Sequence, residues 1–304
     1  MQPLRAAMTE TARMVRLEPD LRLVRAPNPS PMTERGTNSY VLGCGAVAVI
    51  DPGPDDARHL EALLAALEPG ERVSHILVTH SHLDHCGVAP ALARRTGAPV
   101  LAFGPSAAGR DPDLRARHAA AGLGEGAGID PDFAPDACIA DGARISGADW
   151  ELRALWTPGH MGNHLCFIAD GRAFSGDHVM GWSSSVVAPP EGDMGAYLDS
   201  LTRLRDAGAA RLYPGHGAPV EDPPARIDAL IRHRRARARQ LLDALAGGAS
   251  DLDALTRAVY ADTPPPLLGA ARRNLLAHLF DLEARGVVRT DHAADGTRCY
   301  SLAR

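Results

Sequence analysis

Apolar positions along the chain recur with two periods, and the alternation between them predicts the order of elements. Leu21-Arg22-Leu23-Val24-Arg25 alternates like an edge strand, after which Pro27, Pro29 and Pro31 force an irregular, extended loop. Strands restart over residues 36–42 and 45–50, and Asp51-Pro52-Gly53 ends the second sharply. Residues 55–67 switch to helical spacing, with Leu60, Leu63, Leu64 and Leu67 on one side and Pro69-Gly70 as the stop. The run His75-Ile76-Leu77-Val78 reads as a buried strand, 87–95 as a helix and 99–103 as a further strand. Residues 104–136 are rich in Gly, Ala, Asp and Pro, with one short helix expected around 113–121; a connection this long is a lid over a site or a disordered excursion. Strands resume at 143–145 and 150–156, and 194–207 is helical.

Chemistry concentrates where the apolar run 75–78 ends. Thr79-His80-Ser81-His82-Leu83-Asp84-His85 packs four potential metal ligands into six residues. Imidazole and carboxylate suit zinc, with iron or manganese next. In an extended segment alternate side chains share a face, so His80 and His82 can grip one ion while Asp84 and His85, past the bend, turn toward a second. Further candidates stand at strand ends: His160 in Thr157-Pro158-Gly159-His160, Asp177 in Ser175-Gly176-Asp177, and His216 in Tyr213-Pro214-Gly215-His216. A glycine beside each lets backbone approach an ion closely. Asp51 is either a turn cap or a support for the site. Cys86, His164 and His178 are expected to pack or to support ligands, and His59, His118 and His292 carry no signal.

The 304-residue chain has a formal net charge of −5, which argues against whole-protein binding to nucleic acid or an acidic membrane. The average hides an asymmetry, because residues 223–304 hold 13 Arg against 9 acids, a balance of +4. Every cation is Arg, a bias of composition that inflates apparent basicity. Five scattered cysteines, Cys44, Cys86, Cys138, Cys166 and Cys299, do not form a disulfide framework, and a reducing, cytoplasmic setting follows. No apolar run approaches the roughly 20 residues that cross a bilayer. Arg5, Arg13 and Arg16 are reminiscent of a transit segment, but a ragged N-terminus before the first strand is the expectation.

With these motifs in family order from Asp51 to Gly217, the chain resembles the metallo-β-lactamase-fold hydrolases, in particular their glyoxalase II type. The resemblance implies an αββα sandwich, two mixed sheets with helices outside and metals at one edge. It also implies that one zinc takes His80, His82 and His160, that a second takes Asp84, His85 and His216, and that Asp177 bridges both. His82 stands where the diiron flavoprotein branch has a glutamate, which favours zinc. Two such ions would lower the pKa of a shared water from 15.7 to about 7, giving a bridging hydroxide nucleophile at neutral pH, with Asp84 and Asp177 as proton acceptors.

Pro223-Pro224 marks a boundary between a catalytic domain, 1–222, and an appendage, 223–304. Helices are expected over 227–245, with Arg232, Arg235 and Arg239 on one face, from Ser250 onward, and over 267–285, followed by a hairpin across Asp295-Gly296. That order is a winged-helix pattern, and its attachment here resembles a subgroup that includes an endoribonuclease acting on single-stranded RNA. The leading expectation is therefore a dinuclear zinc hydrolase of ester-like, thioester or phosphodiester substrates. A single-stranded RNA endoribonuclease is the first alternative, and a nucleic-acid-binding regulator with a metal-sensing domain is the second. The partner is a small ester-like molecule or an RNA strand, with no membrane, and the module covers the active-site mouth or serves as the dimer face of a homo-oligomer. Residues 28–38, 104–136 and 181–190 are the loops expected to choose the substrate; Ser183 and Ser185 are the polar candidates in the last.

Overall fold

The computed structural model describes residues 14–120, 128–248, 250–294 and 296–303. Residues 1–13, on which the transit-segment reading mostly rests, lie outside them, as do Ala121 and the hairpin residue Asp295.

A seven-stranded sheet runs in sequence order: β1 (Val15–Glu18), β2 (Leu21–Arg25), β3 (Asn38–Leu42), β4 (Ala46–Ile50), β5 (Arg72–Leu77), β6 (Val100–Ala102) and β7 (Ala137–Cys138). Its first four strands pair antiparallel, and β4 to β7 pair parallel. Helix α1 (Ala57–Ala65) crosses from β4 to β5; α2 (Leu83–Cys86) and α3 (Ala89–Thr96) follow β5, and α4 (Pro112–Ala120) precedes β7. The second sheet has the order β12-β11-β10-β9-β8, built from β8 (Arg144–Ser146), β9 (Glu151–Trp156), β10 (Leu165–Ala169), β11 (Arg172–Gly176) and β12 (Arg211–Pro214), with α5 (Met194–Asp206) before the last.

Strand β4 shows why the chain layers as it does. Val47 and Val49 pack with Leu60 and Leu63 of α1 and Leu92 of α3, whereas Ala48 and Ile50 face Leu152, Phe167 and Phe174 of the second sheet. A parallel strand covered on both faces must be apolar on both, hence the unbroken run of residues 46–50. The outer face of the second sheet is covered by α5 and by the start of α6 (Pro223–Ala246). Helices therefore flank two face-to-face sheets, the αββα arrangement the resemblance implies.

The segment 21–25 is not an edge strand. β1 pairs outside β2, so the first strand lies earlier than the alternation indicates. Arg22, which reads as solvent-facing, is buried: its guanidinium meets Glu71 at 2.6 Å and the carbonyls of Ala66 and Gly43 at 3.0 Å. Ionic pairing, invisible in the pattern, replaced exposure.

The C-terminal module follows α6 with β13 (Ser250–Asp251), α7 (Leu252–Val259), α8 (Leu268–Ala284), β14 (Val288–His292) and β15 (Arg298–Leu302), the last two antiparallel. Its core joins Leu241 and Leu245 of α6 to Leu255, Leu275, Leu279, Phe280 and Tyr300. Three helices closed by a hairpin make a winged helix. No helix among the described residues is long and apolar enough to cross a membrane.

Candidate metal centre

Every one of the seven sequence candidates comes to one edge of the sandwich, because each follows the C-terminal end of a strand. His80 and His82 lie in the loop after β5, and Asp84 and His85 on the single turn of α2. His160 follows β9, Asp177 follows β11, and His216 follows β12, which runs parallel to β11. The side chains fall into two groups, His80, His82, His160 with Asp177, and Asp84, His85 with His216. Asp177 reaches both: its carboxylate is 3.7 Å from His160 Nε2 and 3.4 and 3.3 Å from the Nε2 atoms of His85 and His216.

Outer hydrogen bonds decide which ring nitrogens face inward. His160 Nδ1 donates to the Val186 carbonyl at 2.6 Å, and His85 Nδ1 to the Asp51 carboxylate at 2.9 Å. The Thr79 hydroxyl donates to Asp51 at 2.8 Å, so its oxygen is free to accept from His80 Nδ1 at 2.9 Å. These three rings therefore turn Nε2 into the centre, as a bare lone pair on His80 and His160. There the Nε2 atoms of His80 and His160 sit 2.8 and 3.0 Å from His82 Nδ1, which has at most one proton to share between them. Acceptors facing acceptors in a buried site need a cation, and a set of imidazoles and carboxylates suits a divalent metal.

Electrostatics divide along the same line. Burial, reinforced by the neighbouring rings, holds His80 well below the ordinary histidine pKa and His82 at about 3. Burial also opposes charge on His85 and His216, but the carboxylates of Asp84 and Asp177 outweigh it, raising His85 well above its ordinary value and His216 to about 9. For Asp84 and Asp177, burial is outweighed in turn by His85 and His216, and both carboxyls fall below their usual range. The two carboxylates thus favour positive charge on this side of the cluster, and a divalent ion held there would compete with protons for His85 and His216.

Asp51 proves to be a support for the site: besides His85 it accepts from the Thr79 backbone N–H at 2.7 Å. Thr37, which carried no sequence signal, donates its hydroxyl to Asp84 at 3.0 Å and is held by Asn28. The glycines beside the ligands leave room for close packing at the centre. A Cβ on Gly215 would lie 2.5 Å from His85 and 2.7 Å from Asp177, and one on Gly159 2.3 Å from the Tyr197 backbone, so they admit protein neighbours. Cys86, His164 and His178 are buried and lie outside the ligand groups.

The flanking loops are tied to the ligands. Asn38 and Tyr40 of β3 hold the Pro214 carbonyl at 3.0 and 2.7 Å, fixing the segment that bears His216. Residues 128–130 run beside the metal loop, where Leu83 N–H donates to Gly128 and Asp130 N–H to Ser81, at 2.8 and 2.9 Å. At the other end of that long connection, Leu114 of α4 packs into the C-terminal core and Arg117 donates to the Phe280 carbonyl. Ser185 is fully buried and spends its hydroxyl on the carbonyls of Asp177 and His178, so it braces the loop and does not face a pocket.

Residues 32–216 match the metallo-beta-lactamase superfamily, and residues 252–296 match the beta-lactamase associated winged helix domain. The lactamase-like protein adaB of Aspergillus niger is 36% identical over 222 residues, which is 72% of this chain and 61% of that protein's length. A beta-lactamase-like protein 2 homolog of Drosophila melanogaster is 32% identical over 283 residues, 88% of this chain and 89% of its own. An atrochrysone carboxyl ACP thioesterase of Aspergillus fumigatus is 35% identical over 234 residues, 75% of this chain and 66% of its own. Among solved structures, a metallo-beta-lactamase family protein from Thermus thermophilus superposes with a TM-score of 0.76 at 27% identity, covering 94% of this chain and all of its own. With the layered sheets, the His/Asp cluster at their edge and the winged helix all in place, the chain belongs to the metallo-beta-lactamase superfamily.

Proposed function

We propose that the protein is a dinuclear zinc hydrolase acting on thioester or ester bonds of a small, partly apolar acyl substrate. The observation that carries the reading is the pair of ligand groups sharing Asp177. Two divalent ions held there would supply a hydroxide nucleophile at neutral pH and polarise the acyl oxygen. Asp84 and Asp177 stay ionised, as their depressed pKa values require, and are the carboxylates placed to take a proton at the centre. His80, His85 and His160, locked by Thr79, Asp51 and Val186, hold their inward nitrogens without rearrangement.

The acyl assignment draws on the thioesterase among the relatives and on the surroundings of the centre. Leu83 sits between ligands His82 and Asp84, Trp182 lies against Gly217 beside His216, and Met32 belongs to the loop that ends at Thr37; all three are exposed. Large apolar side chains left in water beside a polar centre fit an apolar substrate. The five cysteines are unpaired, which supports a reducing, cytoplasmic setting.

Metal analysis of protein purified without chelator is expected to find two ions per chain, and none would defeat the enzyme reading. A panel of acyl thioesters, lactones and single-stranded RNA should show thioester turnover that is lost in His82→Ala. His82-dependent RNA cleavage, with a salt-sensitive gel shift abolished by Arg232→Ala plus Arg235→Ala, would replace the acyl substrate by RNA. Two bound ions with no turnover on any member would favour a regulator.

A further inference from the structure

Three consecutive residues, Ser185, Val186 and Val187, stand between the winged-helix module and one half of the ligand cluster. On the cluster side, Ser185 Oγ donates to the backbone carbonyl of ligand Asp177, and the Val186 carbonyl orients ligand His160 at 2.6 Å. From the module side, Arg234 of α6 donates to the Ser185 carbonyl, and Asn274 Oδ1 of α8 accepts from the Val187 N–H at 2.9 Å. Arg234 and Asn274 are joined at 3.2 Å, so the two grips form one unit.

Arg234 is only 1% exposed, on a helix face otherwise made of Ile227, Leu230 and Ile231. Burying a guanidinium is expensive unless donors are used, and a leucine would pack there without that penalty. Its partners, a loop carbonyl, an amide oxygen and the Tyr197 ring 5.4 Å away, are what a leucine could not engage. Two ligands of the other half are held from within the sandwich. His85 is oriented by Asp51 and Asp84 by Thr37, both in the sandwich.

We propose that Arg234 and Asn274 are positioning residues for His160, acting through the Val186 carbonyl, so that docking of the winged-helix domain sets metal affinity at the His80–His82–His160 half of the centre and spares the Asp84–His85–His216 half. Resting on the two-ion reading above, the proposal links the module to the chemistry whether or not the module touches substrate. Supports of ligating histidines and carboxylates are worth about 10- to 100-fold in metal affinity.

The test titrates metal-stripped full-length protein with Co2+ against a chromogenic chelator. Fewer than two binding steps in the unmodified chain would refute the two-ion reading itself. Given two steps, Asn274→Leu is expected to weaken one by about 10- to 100-fold and leave the other unchanged. Asn274→Asp, whose carboxylate still accepts from Val187 and Arg234, should restore it, and Arg234→Gln should weaken the same step. Two unchanged steps in Asn274→Leu, or equal weakening of both as a loosened fold would give, overturn the proposal; Arg234→Gln is judged by the same criteria should Asn274→Leu not fold. A second measurement needs no substitution: metal loading should slow hydrogen exchange at the Val187 amide, since coupling between sites is reciprocal, and unchanged exchange there counts against it.

Discussion

Asp51 concentrates several roles in one side chain. It adopts φ 49°, a left-handed conformation that Asp and Asn tolerate better than most residues. There it terminates β4, accepts two bonds from Thr79 and fixes the proton of His85 on Nδ1. Asp51→Asn keeps the backbone but can present an amide N–H to the ring, reversing the tautomer and taking the inward lone pair away. Retained metal after dialysis is expected to report an affinity about 10- to 100-fold lower, and wild-type retention would show that His85 needs no such partner. The ligands themselves were legible because each imidazole or carboxylate stands just past an apolar strand. Thr37, Asn28 and the Val186 carbonyl were not, because what makes them supports is contact with residues far along the chain.

At the scale of elements, α6 joins what the Pro223-Pro224 boundary separates. Its first half lends Ile227, Leu230 and Ile231 to the core outside the second sheet, and its second half lends Leu241 and Leu245 to the winged helix. A chain ending at residue 222 loses the first three, at about 1.5–3 kcal/mol each and about 5–9 kcal/mol together, comparable with the whole stability of an ordinary domain. Circular dichroism should show it partly unfolded or melting far below the full chain; a cooperative transition at the full-length temperature would make residue 222 a true boundary. The arginine stripe also changes meaning here. Arg232, Arg235 and Arg239 are exposed as expected, but Arg234 is buried and Arg237 donates to the Val259 carbonyl while covering the Tyr260 ring at 4.5 Å. Part of the basic excess is therefore internal glue, and periodicity alone gives a buried and an exposed arginine the same symbol.

Across the whole molecule, buried neutral histidines make stability depend on pH. Burial lowers His59, bonded to Ser39 at 2.8 Å in the sandwich, to about 4, and burial with help from Arg234 lowers His278 in the module to about 3. Both titrate near 6.5 when unfolded, so between the two values the unfolded chain binds more protons and stability falls with falling pH. The contribution is complete above about pH 6.5 and is lost progressively toward pH 4 and 3. Denaturant unfolding at constant ionic strength should show this decline, and His278→Leu should make it shallower by up to about 1.4 kcal/mol per pH unit. An unchanged slope would mean that His278 takes up its proton as readily in the folded chain as in the unfolded one.

Taken alone, the sequence supplied the order of strands and helices, the seven His and Asp candidates at strand ends and the winged-helix order through local period and side-chain chemistry, and the layered class through its resemblance to the metallo-β-lactamase-fold hydrolases. Only the tertiary structure decided that Arg22 and Arg234 are interior, that Asp51 and Thr37 orient ligands, and that the C-terminal module reaches His160 through residues 185–187. The physical reason is that a buried charge or an orienting hydrogen bond is defined by its partner, and here the partners are brought together by the packing of sheets and helices.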